Sequence, residues 1–83
     1  MRHARPEDLD PLAALLADLR TIDGLTERSP GTFYRGPLAF LHFHADAAGL
    51  FADLKIDGEF ARFRVATQRE QRALLTAARR AAS

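Results

Sequence analysis

His42 and His44 alternate along the run Leu38–Asp46, and residues two apart on a strand point to the same side. Two imidazoles are therefore aimed together. With Asp46 two positions on, the spacing His-x-His-x-Asp offers two nitrogens and an oxygen, donor types that divalent cations of intermediate softness accept. A second chemistry is open to the same rings. If Asp53 stands across from His42 on a neighbouring strand, its carboxylate would orient the imidazole as a general base. A third uses the apolar neighbours: Phe40, Phe51 and Phe60, flanked by Arg62 and Arg64, have the residue types of a stacking platform with backbone-binding guanidiniums.

Each of these chemistries lacks a partner in the sequence. The five residues His42–Asp46 are similar to the opening of the metal motif of metallo-β-lactamase-type hydrolases, but Ala47 stands where that family carries a further histidine. Only His3 remains elsewhere, and 83 residues fall far short of that fold. No metal and no cofactor is expected. For base catalysis, Ser29, Thr32 and Tyr34 are nucleophiles by type only, so no catalytic residue is assigned. Gly24, Gly31, Gly36, Gly49 and Gly58 each fit a cap or a turn, leaving no glycine-rich loop to cradle phosphate. For nucleic acid, no RNP-type sequence is present, and Asp53, Asp57 and Glu59 would repel phosphate.

The elements that position these residues follow from periodicity. Asp10 can cap a helix with Pro11 in its first turn, and Leu12, Leu15, Leu16, Leu19 and Ile22 then share one stripe. Pro6-Glu7-Asp8 reads equally as a preceding turn or a kinked extension. Gly24 suits a left-handed helix end, and Thr26 to Gly31 reads as a polar loop. Four strands follow, over 32–35, 38–44, 50–56 and 59–65. Asp57-Gly58 suits a two-residue type I′ hairpin. Thr67-Gln68-Arg69-Glu70 is a capping box opening a last helix to about Ala81, with Leu74, Leu75 and Ala78 on its apolar face. The expected fold is a two-layer α+β domain spanning residues 1–83, helix, four-stranded antiparallel meander, helix, with both helices on one sheet face.

The hairpin predicts a register. Ile56 pairs with Glu59, Lys55 with Phe60, Leu54 with Ala61, Asp53 with Arg62, Ala52 with Phe63, Phe51 with Arg64 and Leu50 with Val65. Ala39, Leu41, Phe43, Leu50, Ala52, Leu54, Ala61, Phe63 and Val65 then form the core face. The opposite face holds Phe40, His42, His44, Phe51, Asp53, Phe60, Arg62 and Arg64, with Lys55 beside them. These eight are the candidate binding residues. Helices covering one side leave three phenylalanines partly wet on the other, and a mixed aromatic and charged patch of that kind marks an interface. The leading functional expectation is a non-enzymatic module that self-associates or binds a protein through this face. The alternatives are nucleic-acid binding through the same Phe/Arg surface and a small histidine-based enzyme.

Composition bounds the classes. A hydrophobic share of 47% with a net charge of +1 fits a small globule and does not by itself imply a polyanion partner. Acidic residues concentrate in the first helical region and arginines in the last third, an asymmetry that mutual attraction of the two ends accounts for. No apolar run approaches the ~20 residues of a membrane helix. The first residues lack the apolar block of a secretory signal, and with no cysteine there is no disulfide framework. A cytoplasmic location is the expectation.

Gly31-Thr32-Phe33-Tyr34-Arg35, Ala39-Phe40-Leu41-His42-Phe43-His44 with Asp46, and Gly49-Leu50-Phe51-Ala52-Asp53-Leu54-Lys55 together resemble a group of small bacterial domains of unknown function. Phe63-Arg64-Val65 and Glu70 to Leu75 continue the likeness over about the last two-thirds of the chain. What the resemblance implies is a small bacterial cytosolic domain, with no activity, substrate or cofactor attached.

Overall fold

The computed structural model describes residues 2–83. Its centre is the strand that carries the alternating pattern, here β4, Leu38–Asp46. Among the described residues six strands, joined in antiparallel pairs, make up one sheet. In chain order they are β1 (Arg2–His3), β2 (Leu25–Ser29), β3 (Thr32–Arg35), β4, β5 (Gly49–Ile56) and β6 (Glu59–Arg64). The order across the sheet is β2-β3-β4-β5-β6, and β1 also pairs with β4. A 3₁₀ helix, Pro6–Leu12, runs into α1, Ala13–Leu19, and α2 spans Gln68–Ala82. The α+β class and the helix–meander–helix order expected from sequence hold, with two strands added.

The meander keeps the register that its turn dictates. Asp57 and Gly58 both have positive φ, +52° and +85°, as a type I′ turn requires, and the pairs from Phe51↔Arg64 to Ile56↔Glu59 follow. The Val65 N–H donates to the Leu50 carbonyl. Next to it, β4 and β5 pair so that His42 opposes Asp53 and His44 opposes Phe51.

The added strands have distinct causes. β3 is four residues long and covers only the first half of the nine-residue β4, leaving backbone groups of the second half in need of partners. β1 supplies them, with Arg2 opposite Ala45 and His3 opposite His44, and the Ala4 N–H continues the pairing onto the Phe43 carbonyl. β2 corrects the expected polar loop over residues 26–31. It is an edge strand on β3, irregular between Glu27 and Ser29, and its polarity reflects a solvent-facing edge rather than loss of strand structure.

Two further expectations are corrected. Asp10 is not the helix cap: it lies inside the 3₁₀ segment, which starts at Pro6 with the Asp8 carboxylate accepting the Arg5 N–H. Pro6 needs no donor at that position, and the missing N–H of Pro11 favours the tighter winding over a continuous α-helix. Gly24 has positive φ, but α1 ends at Leu19, so the glycine turns the connection into β2 rather than capping the helix.

The largest correction concerns Phe40. Phe33 opposes Leu41 while Tyr34 opposes Ala39, so Phe40 is an extra residue in β4, a bulge that breaks the alternation. Phe40 is 4% exposed and belongs to the core with Leu41, Phe43, Phe33, Ala52, Leu54 and Val65. From the helices the same core receives Leu9, Leu12, Leu15, Leu16, Leu19, Leu74 and Ala78. The capping box of α2 forms as expected, with the Glu70 N–H donating to Thr67 Oγ1 and the Thr67 N–H to the Glu70 carboxylate. No helix among the described residues is long and apolar enough to cross a membrane.

Candidate functional site

On the sheet side away from the helices, three imidazoles meet. β4 presents His42 and His44 two residues apart. β1 lies in register beside it, so His3 falls next to His44. Ring centroids are 4.9 Å apart for His3 and His44, 5.8 Å for His3 and His42, and 4.8 Å for His42 and His44. One nitrogen from each ring falls within 4.8 Å of the others. The sequence offers His3 as the one other histidine but assigns it no position, because a two-residue strand has no readable period; its pairing with β4 brings it here.

The polar contacts run across three strands. Arg62 Nε and Nη2 donate to the two oxygens of Asp53 at 2.8 and 2.9 Å, a bidentate pair. Asp53 Oδ2 is 3.1 Å from His44 Nε2, and His44 Nε2 is 2.7 Å from His42 Nδ1. An ionised carboxylate only accepts. With Nε2 protonated, His44 presents an N–H towards the carboxylate side and hydrogen-bonds His42 Nδ1, which then accepts. The predicted row His42, Asp53, Arg62 is present in register, although the imidazole that touches Asp53 is His44.

Burial and charge tune these groups. Asp53 is 8% exposed, yet the hydrogen bonds from Arg62 hold its carboxyl below the usual range, outweighing the opposing effect of desolvation. Partial burial lowers the affinity of His42 for a second proton, and the neighbouring His44 adds to it, with Asp53 acting in the opposite sense. His42 is thus disposed to stay neutral.

Aromatic residues frame the cluster, most of them under a cation. The Phe60 ring lies 4.9 Å from that of His42 and is 46% exposed, with Lys55 Nζ 5.1 Å from its centroid. Arg64 lies over Phe51 at 5.5 Å and near Glu70 at 3.7 Å. Arg28 stacks on Tyr34 at 4.1 Å. Of the eight candidates, His42, His44, Phe51, Asp53, Phe60, Arg62 and Arg64 share this face, and Phe40 does not. Asp46, the last member of the His-x-His-x-Asp spacing, accepts the Ala48 N–H at 2.8 Å and so closes the β4–β5 turn. Thr32 stands opposite His42, but among the described residues no Ser, Thr or Tyr hydroxyl hydrogen-bonds either strand imidazole.

No protein-family model, curated protein or solved structure matches this chain.

Proposed function

We propose that this domain is a non-enzymatic association module in which the helix-free face of the sheet docks against a second copy of the chain. The observation that carries the reading is the placement of Phe60. It is 46% exposed on a face whose other side holds both helices and the core. Interfaces are enriched in aromatic residues and arginine, and Phe51, Arg62 and Arg64 lie on the same face, with His42 and Lys55 against the Phe60 ring.

The charges on this face favour a protein partner over nucleic acid. Arg62 is committed to Asp53 through two hydrogen bonds. Arg64 lies between Phe51 and Glu70. Guanidiniums engaged in this way have compensated charge and can be covered without leaving it unpaired, whereas phosphate binding needs them free. The cations over Phe60, Phe51 and Tyr34 also occupy ring faces on which bases would stack.

Equilibrium sedimentation of wild type and Phe60→Asp tests the reading. A wild-type dimer that the substitution converts to monomer is the expected result. A wild-type monomer at ~100 μM, where even a weak specific dimer with a dissociation constant in the tens of micromolar would be populated, refutes it.

A further inference from the structure

We infer that His3, His42 and His44 form a binding site for a divalent transition ion of the zinc type, held by one imidazole nitrogen from each. The inference is independent of self-association and stands on geometry. The three nitrogens lie within 4.8 Å of one another. Ligand atoms about a tetrahedral zinc with bonds of ~2.0–2.1 Å are separated by about 3.3 Å. His42 Nδ1 and His44 Nε2, at 2.7 Å, need only spread slightly to share an ion. His3 closes the third position by a small side-chain movement, which its exposed place on a two-residue strand permits.

Construction of the site supports a ligand role over a merely hydrogen-bonded cluster. His42 and His44 project from the central strand β4, whose pairing with β3 and β5 fixes their spacing. Asp53 Oδ2 stands 3.1 Å from His44 Nε2 and is itself held by Arg62, which puts a fixed negative charge beside the incoming ion. The carboxylate stands beside the ligating nitrogen itself, so its part is attraction of the cation and not orientation of the ring through its other nitrogen. Three imidazoles are the ligand number that leaves a fourth position of a tetrahedral zinc to solvent, and the exposure of His3 keeps that position accessible. On binding, nitrogen–zinc bonds form, and the neutral His44 ring carries its one proton on Nδ1 instead of Nε2, exchanged through solvent with no net release. The ion is imidazole-selected: there is no cysteine in the chain, and Asp46, the one carboxylate in the sequence spacing, is occupied by the turn.

The experiment is titration of the tag-free chain with zinc chloride, followed by isothermal calorimetry. Nitrogen-15 spectra of the imidazoles are recorded in parallel on the wild type. Saturable binding of one zinc per chain with micromolar affinity is expected, with ring signals of His3, His42 and His44 all shifting. His3→Ala and His42→Ala should each weaken binding ~10-fold or more. His3→Ala alters an exposed residue, so unchanged far-ultraviolet dichroism is expected of it. The inference is overturned by the absence of saturable binding up to ~0.1 mM zinc, a concentration that would fill a micromolar site. Wild-type affinity in either variant, or shifts confined to the His3 ring, would mean an adventitious ion only and would overturn it equally. Because the ring spectra need no substitution, the test stands even if His42→Ala does not fold.

Discussion

Replacing Phe40 by alanine separates the observed fold from strict strand alternation, which would put the ring on the outer face with Phe51 and Phe60. Phe40 is 4% exposed, so nearly all of its surface is removed from water. A buried aromatic side chain takes ~150–250 Å² out of solvent, roughly 4–6 kcal/mol at about 25 cal/mol per Å². Alanine retains part of that, and a cavity is added to the loss. Measured Phe→Ala costs of ~3–5 kcal/mol agree. The surface groove lined by Arg35, Leu38, Ala39, Phe40, Lys55 and Ala81 lets water reach the vacated space, which favours the lower end, ~3 kcal/mol. A domain of this length has a total stability of about 4–12 kcal/mol, so the loss is a large share of it. At ~4–8 °C per kcal/mol the midpoint of thermal unfolding should fall by roughly 12–24 °C. Phe60→Ala, on a half-exposed ring, should cost less than ~1 kcal/mol. With no tryptophan in the chain, urea unfolding followed by far-ultraviolet dichroism is the suitable assay. Equal costs for the two variants, or a cost below ~1 kcal/mol for Phe40→Ala, would refute the bulge and the core position it creates.

Gly31→Ala should destabilise the domain by about 1–3 kcal/mol in the same assay. Gly31 has φ +76°, and an added Cβ would sit 3.2 Å from both terminal methyls of Leu9, so backbone and packing both oppose it. Glu27 supplies a pH-dependent contribution. The Arg20 guanidinium, 2.6 Å away, holds its carboxyl below the ordinary carboxylate range, aided by the Gly31 N–H and opposed by partial burial. A depressed folded-state value means the stabilisation is complete above the unfolded value, near 4.5, and is lost as pH falls through the folded one. Urea midpoints measured from pH ~6 down to ~3 should therefore fall less steeply in Glu27→Gln than in wild type. Parallel curves would remove Glu27 from the acid response.

Local chemistry determined much of this protein without reference to its tertiary structure. Asp57-Gly58 specifies a two-residue turn, and that turn sets every pair between β5 and β6, including Asp53 with Arg62. Thr67 and Glu70 specify the start of α2, and the leucine stripe from Leu12 to Leu19 specifies which side of the first helical region faces the core. These features depend on residues within a few positions of one another, where backbone sterics and side-chain period act directly. Pairing between distant segments decided the rest. The bulge at Phe40 arises from the fit of β3 to β4. Strand β1 exists because β3 is too short to satisfy β4, and it carries His3 to two imidazoles some forty residues away. A period-two pattern assigns a side chain to a face only while the ladder runs unbroken, and a single extra residue reverses it. Which imidazoles gather, and which phenylalanine is left facing water, was therefore set by strand pairing rather than by the pattern along the chain.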